Sequence, residues 1–185
     1  MDNVIVVGAG ITGSFTAFFL AQRGIPTVLV EQAGVGNQAS AHNPGGLNPL
    51  HGPGIPGPMS PFAMHSFDLH LSHQQQIRDL TGVDFKFRRV SRIELAFDDE
   101  ERGKLQAATK SYEASAGFSA QWLDKAEVLA LEPRISPEII GGLLMTGNGM
   151  VDSHQYTVAI AQAAQKLGAR IVEGTVTGLE QEGSR

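Results

Sequence analysis

Three glycines and one acid carry the first chemical signal in this chain. Gly8, Gly10 and Gly13 are spaced G-x-G-x-x-G, and Glu31 follows Gly13 by 18 residues. Residues of these types at this spacing can hold a dinucleotide. Gly8 turns the chain sharply, Gly10 lets a pyrophosphate approach the backbone, and Gly13 lets a following helix pack closely. The free N–H groups and partial positive charge of a helix start receive the anion. A carboxylate at Glu31 accepts the hydroxyl hydrogens of an adenosine ribose. The spacing alone is weak evidence; it counts only when a strand precedes it and a helix follows.

That context is present. The apolar run 4–7 predicts a short buried strand. Residues 14–22 predict a helix, with Ile11, Phe15, Phe18 and Phe19 on one face, and Gly24 closes it. Residues 26–30 give a second strand that ends in Glu31. In the doubly wound order 3-2-1-4 the three nucleotide-sheet strands, 4–7, 26–30 and 169–172, occupy one side and leave 4–7 at an edge, yet its wholly apolar pattern is that of a strand covered on both faces and flanked on both sides.

Composition limits the alternatives. The chain has 185 residues and a net charge of −5, with no long basic run, so it shows no electrostatic footprint for nucleic acid. It has no cysteine, which excludes a disulfide framework, a thiolate metal site and a cysteine nucleophile. No apolar run reaches membrane-spanning length, and the short run 4–7 lacks the basic lead of a signal peptide, so a cytoplasmic location is expected.

After Glu31 the character changes. Residues 32–61 are glycine-rich and hold six of the nine prolines, which predicts a long functional loop whose second part, 50–61, is a mobile flap. Residues 62–80 predict a helix ended by Thr81-Gly82, and 83–97 alternate as strands with one wet face. The acids 98–101 open a helix running to about Ala116. Asp124 and Glu127 make a capping-box start for a short helix. Residues 139–145 read as a strand turned by Gly147-Asn148-Gly149, 154–167 as a helix capped by Asp152 or Ser153, and 169–172 and 175–179 as two strands. The division expected is one discontinuous nucleotide-binding domain, 1–82 and 149–185, interrupted by a smaller one, 83–148.

Beyond the glycine turn, several segments carry a resemblance. Phe62-Ala63-Met64-His65-Ser66, Leu80-Thr81-Gly82-Val83-Asp84, Glu94-Leu95-Ala96-Phe97, Gly149-Met150-Val151-Asp152-Ser153-His154 and Leu167-Gly168-Ala169 resemble the D-amino-acid oxidase superfamily, in its glycine oxidase-like branch. The resemblance implies an α/β fold, with an incomplete Rossmann-type FAD-binding domain and an inserted α+β substrate domain. It implies FAD as cofactor and oxidation of the C–N bond of a small-molecule amine or amino acid, such as glycine, sarcosine or a D-amino acid. Hydride would pass to flavin N5. Carried over by position, Gly8, Gly10, Ile11, Thr12 and Gly13 hold the pyrophosphate, and Glu31 and Gln32 sit at the adenosine ribose. Ala39 and Ser40 contact the phosphate or ribitol, Gly45, Gly46 and Leu47 run beside the flavin ring, and Val176 meets the adenine through its backbone. Members of this superfamily are about twice as long, so the chain is expected to be an N-terminal half that by itself is marginally stable, binds FAD weakly and shows no turnover. A NAD-binding Rossmann dehydrogenase and a non-catalytic nucleotide-binding module share the glycine turn and stand as alternatives.

Other candidates are weaker. His42 precedes Gly45-Gly46-Leu47, where some relatives tether the flavin through a histidine; an ordinary loop histidine is the favoured reading. His65 and His73 share a helix but have no third ligand at metal spacing. Arg88, Arg89 and Arg92 are candidates for a substrate carboxylate, with solvation on a wet strand face preferred. Trp122 is expected in the core.

Overall fold

The computed structural model describes residues 4–181. Packing divides the chain into two units: one holds residues up to Gly45, His73–Lys86 and those from Val151, the other Gly46–Ser72 and Phe87–Met150.

The first unit is built on a three-stranded parallel sheet. Strand β1 (Val4–Val7) pairs with β2 (Thr27–Glu31) from Val4↔Thr27 to Val7↔Val30. The last strand, numbered β7 (Arg170–Glu173), pairs with β2 on its other side, from Val28↔Arg170 to Glu31↔Glu173. The order β1-β2-β7 is the 3-2-1 side of the doubly wound order 3-2-1-4, and β1 lies at an edge because no fourth strand pairs with it among the described residues. Ile5 and Val7 are 63% and 60% exposed, against the fully covered strand that their apolar pattern suggests.

Helices α1 (Ile11–Gln22) and α5 (Ser153–Lys166) pack against each other and on these strands. Their contact is close because α5 buries small side chains, Ala159, Ala161, Ala163 and Ala164, beside Ile160. Phe15, Phe18 and Phe19 of α1 form a ring cluster with Tyr156 and His73. Residues 83–87, predicted as strand, are not one: Phe85 is fully buried, 4.6 Å from the Tyr156 ring and under the Arg78 guanidinium. Residues 175–179, also predicted as strand, carry no regular structure, because among the described residues no neighbour is available to pair with them.

The second unit is an antiparallel sheet centred on β6 (Gly141–Met150). Strand β4 (Arg88–Ala96) pairs along one side of β6, while β5 (Ser119–Asp124) and the two-residue β3 (Gly46–Leu47) share the other. Gly147-Asn148-Gly149 is expected to turn the chain; instead β6 continues through it, with β4 pairing Asn148 and Gly149 and β3 pairing Gly149, and the register with β4 shifts between Val90 and Arg92. The glycines serve packing there. Gly147 has φ +93° with the Phe118 ring against it, and Gly149 faces Phe87, Leu47 and Phe67.

One cluster holds Tyr112 of α3 (Asp99–Glu113) with Leu50, Leu143 and Met145. A second holds Val128 of α4 (Lys125–Leu131) with Leu123 and Ile139. Asp98 caps α3 by accepting the Glu101 N–H, and Asp124 with Glu127 forms the predicted reciprocal capping box. Strand β5 escaped the sequence reading, being short and half polar. Its Trp122 is partly exposed, not core, and lies against Gly141.

Helix α2 (Ser60–Thr81) contributes residues to both units. Residues 46–72, placed by the sequence reading with the nucleotide domain, pack with the second unit, through the pairing of β3 with β6 and the Phe67–Phe118 ring contact. Leu50, at the start of the expected flap, is 6% exposed in the core cluster. Among the described residues, no helix is long and apolar enough to cross a membrane.

Candidate functional site

The first unit has a cleft of about 390 Å³ at the carboxyl ends of β1, β2 and β7, lined by Val7, Gly8, Gly10, Val30, Glu31, Gln32, Gln38, Gly174 and Val176. Parallel sheets bind ligands at this end, where helix N-termini also point. The cleft thus joins residues from three distant stretches of sequence.

Its floor follows from the glycines. Gly8 leaves β1 with φ +93°, and its N–H donates to the Val30 carbonyl at 2.8 Å. Gly10 is the N-cap of α1 and offers no side chain to cap it. Ser40 Oγ does so instead, accepting the Ile11 N–H at 3.0 Å. A Cβ on Gly10 would stand 3.3 Å from that oxygen, and one on Gly13 would strike the Gly8 carbonyl oxygen. Thr12 is exposed in the first turn. Ala39 and Ser40 belong to a single 3₁₀ turn, Ala39–Ala41.

Glu31 ties this floor together. One carboxylate oxygen accepts the Ala9 N–H at 2.7 Å, the other the Ala33 N–H at 2.8 Å. The Ala33 bond foremost, then the Ala9 bond, hold the carboxyl below its ordinary value near 4.5. Each oxygen keeps acceptor capacity for a ligand hydroxyl. Glu31→Ala is expected to weaken adenine-nucleotide binding by on the order of 1.5–3 kcal/mol, the scale of a hydrogen bond to a charged group. Isothermal titration with ADP checks this. Because the folded-state pKa is depressed, the carboxylate stabilises the fold above its unfolded pKa, and this contribution is lost as pH falls through the folded value. Melting temperature should therefore fall more steeply below about pH 4.5 in the parent than in Glu31→Gln. Parallel curves for the two would remove Glu31 from this role.

The loop after β2 is pinned to the start of α5. Gly36 packs on His154 and Thr157. Asn37 donates to the Ala33 carbonyl at 2.8 Å, which leaves its Oδ1 as acceptor for His154 Nε2 at 3.2 Å; that ring nitrogen therefore carries a proton. Ser153 Oγ donates to the Asn43 carbonyl at 2.9 Å. Gly45, with φ +79°, is buried so tightly that a Cβ would strike the Val151 carbonyl oxygen. His42 is exposed just after the 3₁₀ turn.

Gly46 and Leu47 lie in the second unit, where they line a separate cleft of about 300 Å³ with Asn48, Pro49, Phe62, Ala63, Ser66, Phe67 and His70. Burial holds the His70 imidazole below its ordinary value. The three arginines are engaged by their own unit. Arg92 donates to Glu94 at 3.0 Å and lies 3.1 Å from His51 Nε2, Arg89 stacks over Phe67 and Phe118, and Arg88 reaches Met150 Sδ. No cluster of three or more metal-ligating side chains occurs among the described residues. Sequence reasoning missed Gln38 and Gly174 in the first cleft. Gly174 extends the β2–β7 ladder by donating to the Glu31 carbonyl at 2.9 Å, a position fixed by strand register and not by motif.

The chain is similar to known proteins over nearly its whole length. The family described as DAO, FAD dependent oxidoreductase, matches residues 3–185. Glycine oxidase of Geobacillus kaustophilus (strain HTA426) is 30% identical over 174 residues, covering 94% of this chain and 46% of that protein. The crystal structure of the glycine oxidase from Geobacillus kaustophilus superposes with a TM-score of 0.82 at 29% identity, over 93% of this chain and 46% of that one. L-alpha-glycerophosphate oxidase from Mycoplasma pneumoniae, dithionite-reduced with FAD bound, gives a TM-score of 0.78 at 25% identity, over 94% of this chain and 45% of that one. The chain spans about half the length of the relatives it matches.

Proposed function

Because this chain belongs to the DAO family of FAD-dependent oxidoreductases, we propose that its first unit holds the adenosine diphosphate half of FAD and that the protein oxidises the C–N bond of a small amine or amino acid. The observation that carries the cofactor reading is the cleft at Glu31, with side-chain-free floor positions at Gly8, Gly10 and Gly174 beside the first amide groups of α1. These residues fit the group. A pyrophosphate needs backbone approach and N–H donors, and a ribose diol needs an acceptor. Gly8, Gly10, Ile11, Thr12 and Gly13 would hold the pyrophosphate, with Ala39 and Ser40 beside it. Glu31 and Gln32 would hold the ribose, and the Val176 backbone the adenine. The same resemblance assigns Gly45, Gly46 and Leu47 to the flavin ring. When bound, the flavin supplies a two-electron acceptor.

The extended resemblance favours FAD over NAD, because the match continues far past the glycine turn that the two classes share. Among substrates, the glycine oxidase likeness favours glycine, sarcosine or a D-amino acid. The test has two stages. Titrating the purified 185-residue chain with FAD should quench flavin fluorescence to saturation, whereas NADH should leave its own emission unchanged. A form of the protein extended to the length of its relatives, in which turnover is expected as it is not for the 185-residue chain by itself, is then loaded with flavin and mixed anaerobically with glycine, sarcosine, D-alanine or glycerol 3-phosphate. Bleaching of the flavin by an amine, and not by glycerol 3-phosphate, is the result expected. Tight NADH binding without FAD binding would overturn the cofactor reading, and bleaching by glycerol 3-phosphate alone would overturn the C–N assignment.

A further inference from the structure

One side chain in the Glu31 cleft has no part in the reading above. Gln38 lines the cleft and is exposed, and its amide makes no hydrogen bond to another described residue. Its backbone, in contrast, is held from both sides. The carbonyl of Gln38 accepts the Ala41 N–H at 2.9 Å. Asn37 before it is tied to Ala33 and His154, and Ser40 after it to the Ile11 N–H. The result is a free amide on a fixed stem.

The cleft needs such an amide. Each hydroxyl of a ribose diol donates one hydrogen and also has lone pairs to satisfy. Glu31 can only accept, and each of its oxygens already takes one backbone N–H. The N–H of Gly8 is spent on the Val30 carbonyl, and that of Gly174 on the Glu31 carbonyl. Neither Lys nor Arg lines the cleft. Side-chain donors to the ribose oxygens can therefore come only from the two glutamines, Gln32 and Gln38. Resting on the adenosine reading of this cleft, we propose that Gln38 is a specificity-determining residue, whose amide N–H donates to a ribose hydroxyl oxygen and makes the cleft read a free 2′,3′-diol.

The experiment is isothermal titration of the parent, Gln38→Ala and Gln38→Glu with ADP and with 2′,3′-dideoxy-ADP. Gln38→Ala is expected to weaken ADP binding roughly 2- to 12-fold, the equivalent of one neutral hydrogen bond, and to leave the dideoxy nucleotide unchanged. Gln38→Glu keeps the shape but cannot donate, and should weaken ADP binding at least as much. Unchanged ADP affinity in Gln38→Ala overturns the proposal, as does an equal loss for both nucleotides, which would move the contact off the ribose. A parent chain that binds neither nucleotide overturns the adenosine reading itself, an outcome distinct from either of these.

Discussion

Gly13→Ala should abolish nucleotide binding and destabilise the first unit, even though alanine is the better helix former. Helix propensity by itself predicts a gain of about 1 kcal/mol from this change. The new Cβ, however, lands on the Gly8 carbonyl oxygen, with the carbonyl carbon 3.1 Å away and Val6 Cγ1 at 3.4 Å. Gly8 is backbone and cannot rotate aside. Its own N–H is bonded to Val30, so a shift there pulls on the end of the β1–β2 ladder. Forced overpacking costs typically about 1–3 kcal/mol, and an immobile obstacle places this site near the upper end, so the loss exceeds the propensity gain. Thermal melting and ADP titration of the variant check both halves. A melting temperature equal to or above the parent's would show that propensity wins and that α1 does not press on the turn.

Gly10→Val should remove nucleotide binding while leaving the fold almost untouched. Gly10 sits at φ −72° and ψ −178°, an extended conformation that valine adopts freely. Its nearest obstacle is the Ser40 hydroxyl at 3.3 Å, the end of a side chain that can turn away. The branched methyl groups then project where a pyrophosphate would approach. FAD titration should show no saturable quenching, and the melting temperature should stay within a few degrees of the parent's. Undiminished FAD binding would mean that the phosphate does not lie over Gly10. The two glycines thus separate fold from ligand: one position is closed by the protein's own backbone, the other is open towards the cleft.

The strand, turn, helix, second strand and acid at the start of the chain were legible because they are local. Each glycine's role depends on neighbours within a few residues, and Glu31 is one strand away. The strands of the second unit were not. Gly147-Asn148-Gly149 looks like a turn until Val90 and Leu47 are known to flank it. Residues 175–179 alternate like a strand, but alternation supplies no partner. Phe85 alternates too, and lies beneath Arg78 and against Tyr156. In the site, the residue types at Glu31 and Ser40 were legible. Their bonds to Ala9, Ala33 and Ile11 were not, since a side chain's backbone partners leave no mark on composition or spacing. Gln38 carries no motif at all; only the two fixed points around it single it out.

The bolting of the loop after β2 onto α5 has a consequence for synthesis. His154 and Ser153 grip Asn37 and Asn43 across 117 and 110 residues of sequence, and β7 completes the sheet later still. Strands β4 to β6 emerge from the ribosome between the two halves of that grip. The glycine turn is made first, but its cleft lacks Gly174 and Val176 until the stretch just beyond β7 is translated. A nascent chain halted at residue 150 should carry the whole glycine signature and still fail to retain ADP, while one released after β7 should capture it. Nucleotide capture is thereby timed to a late point in translation, set by how far apart in the gene the two walls of one cleft are written.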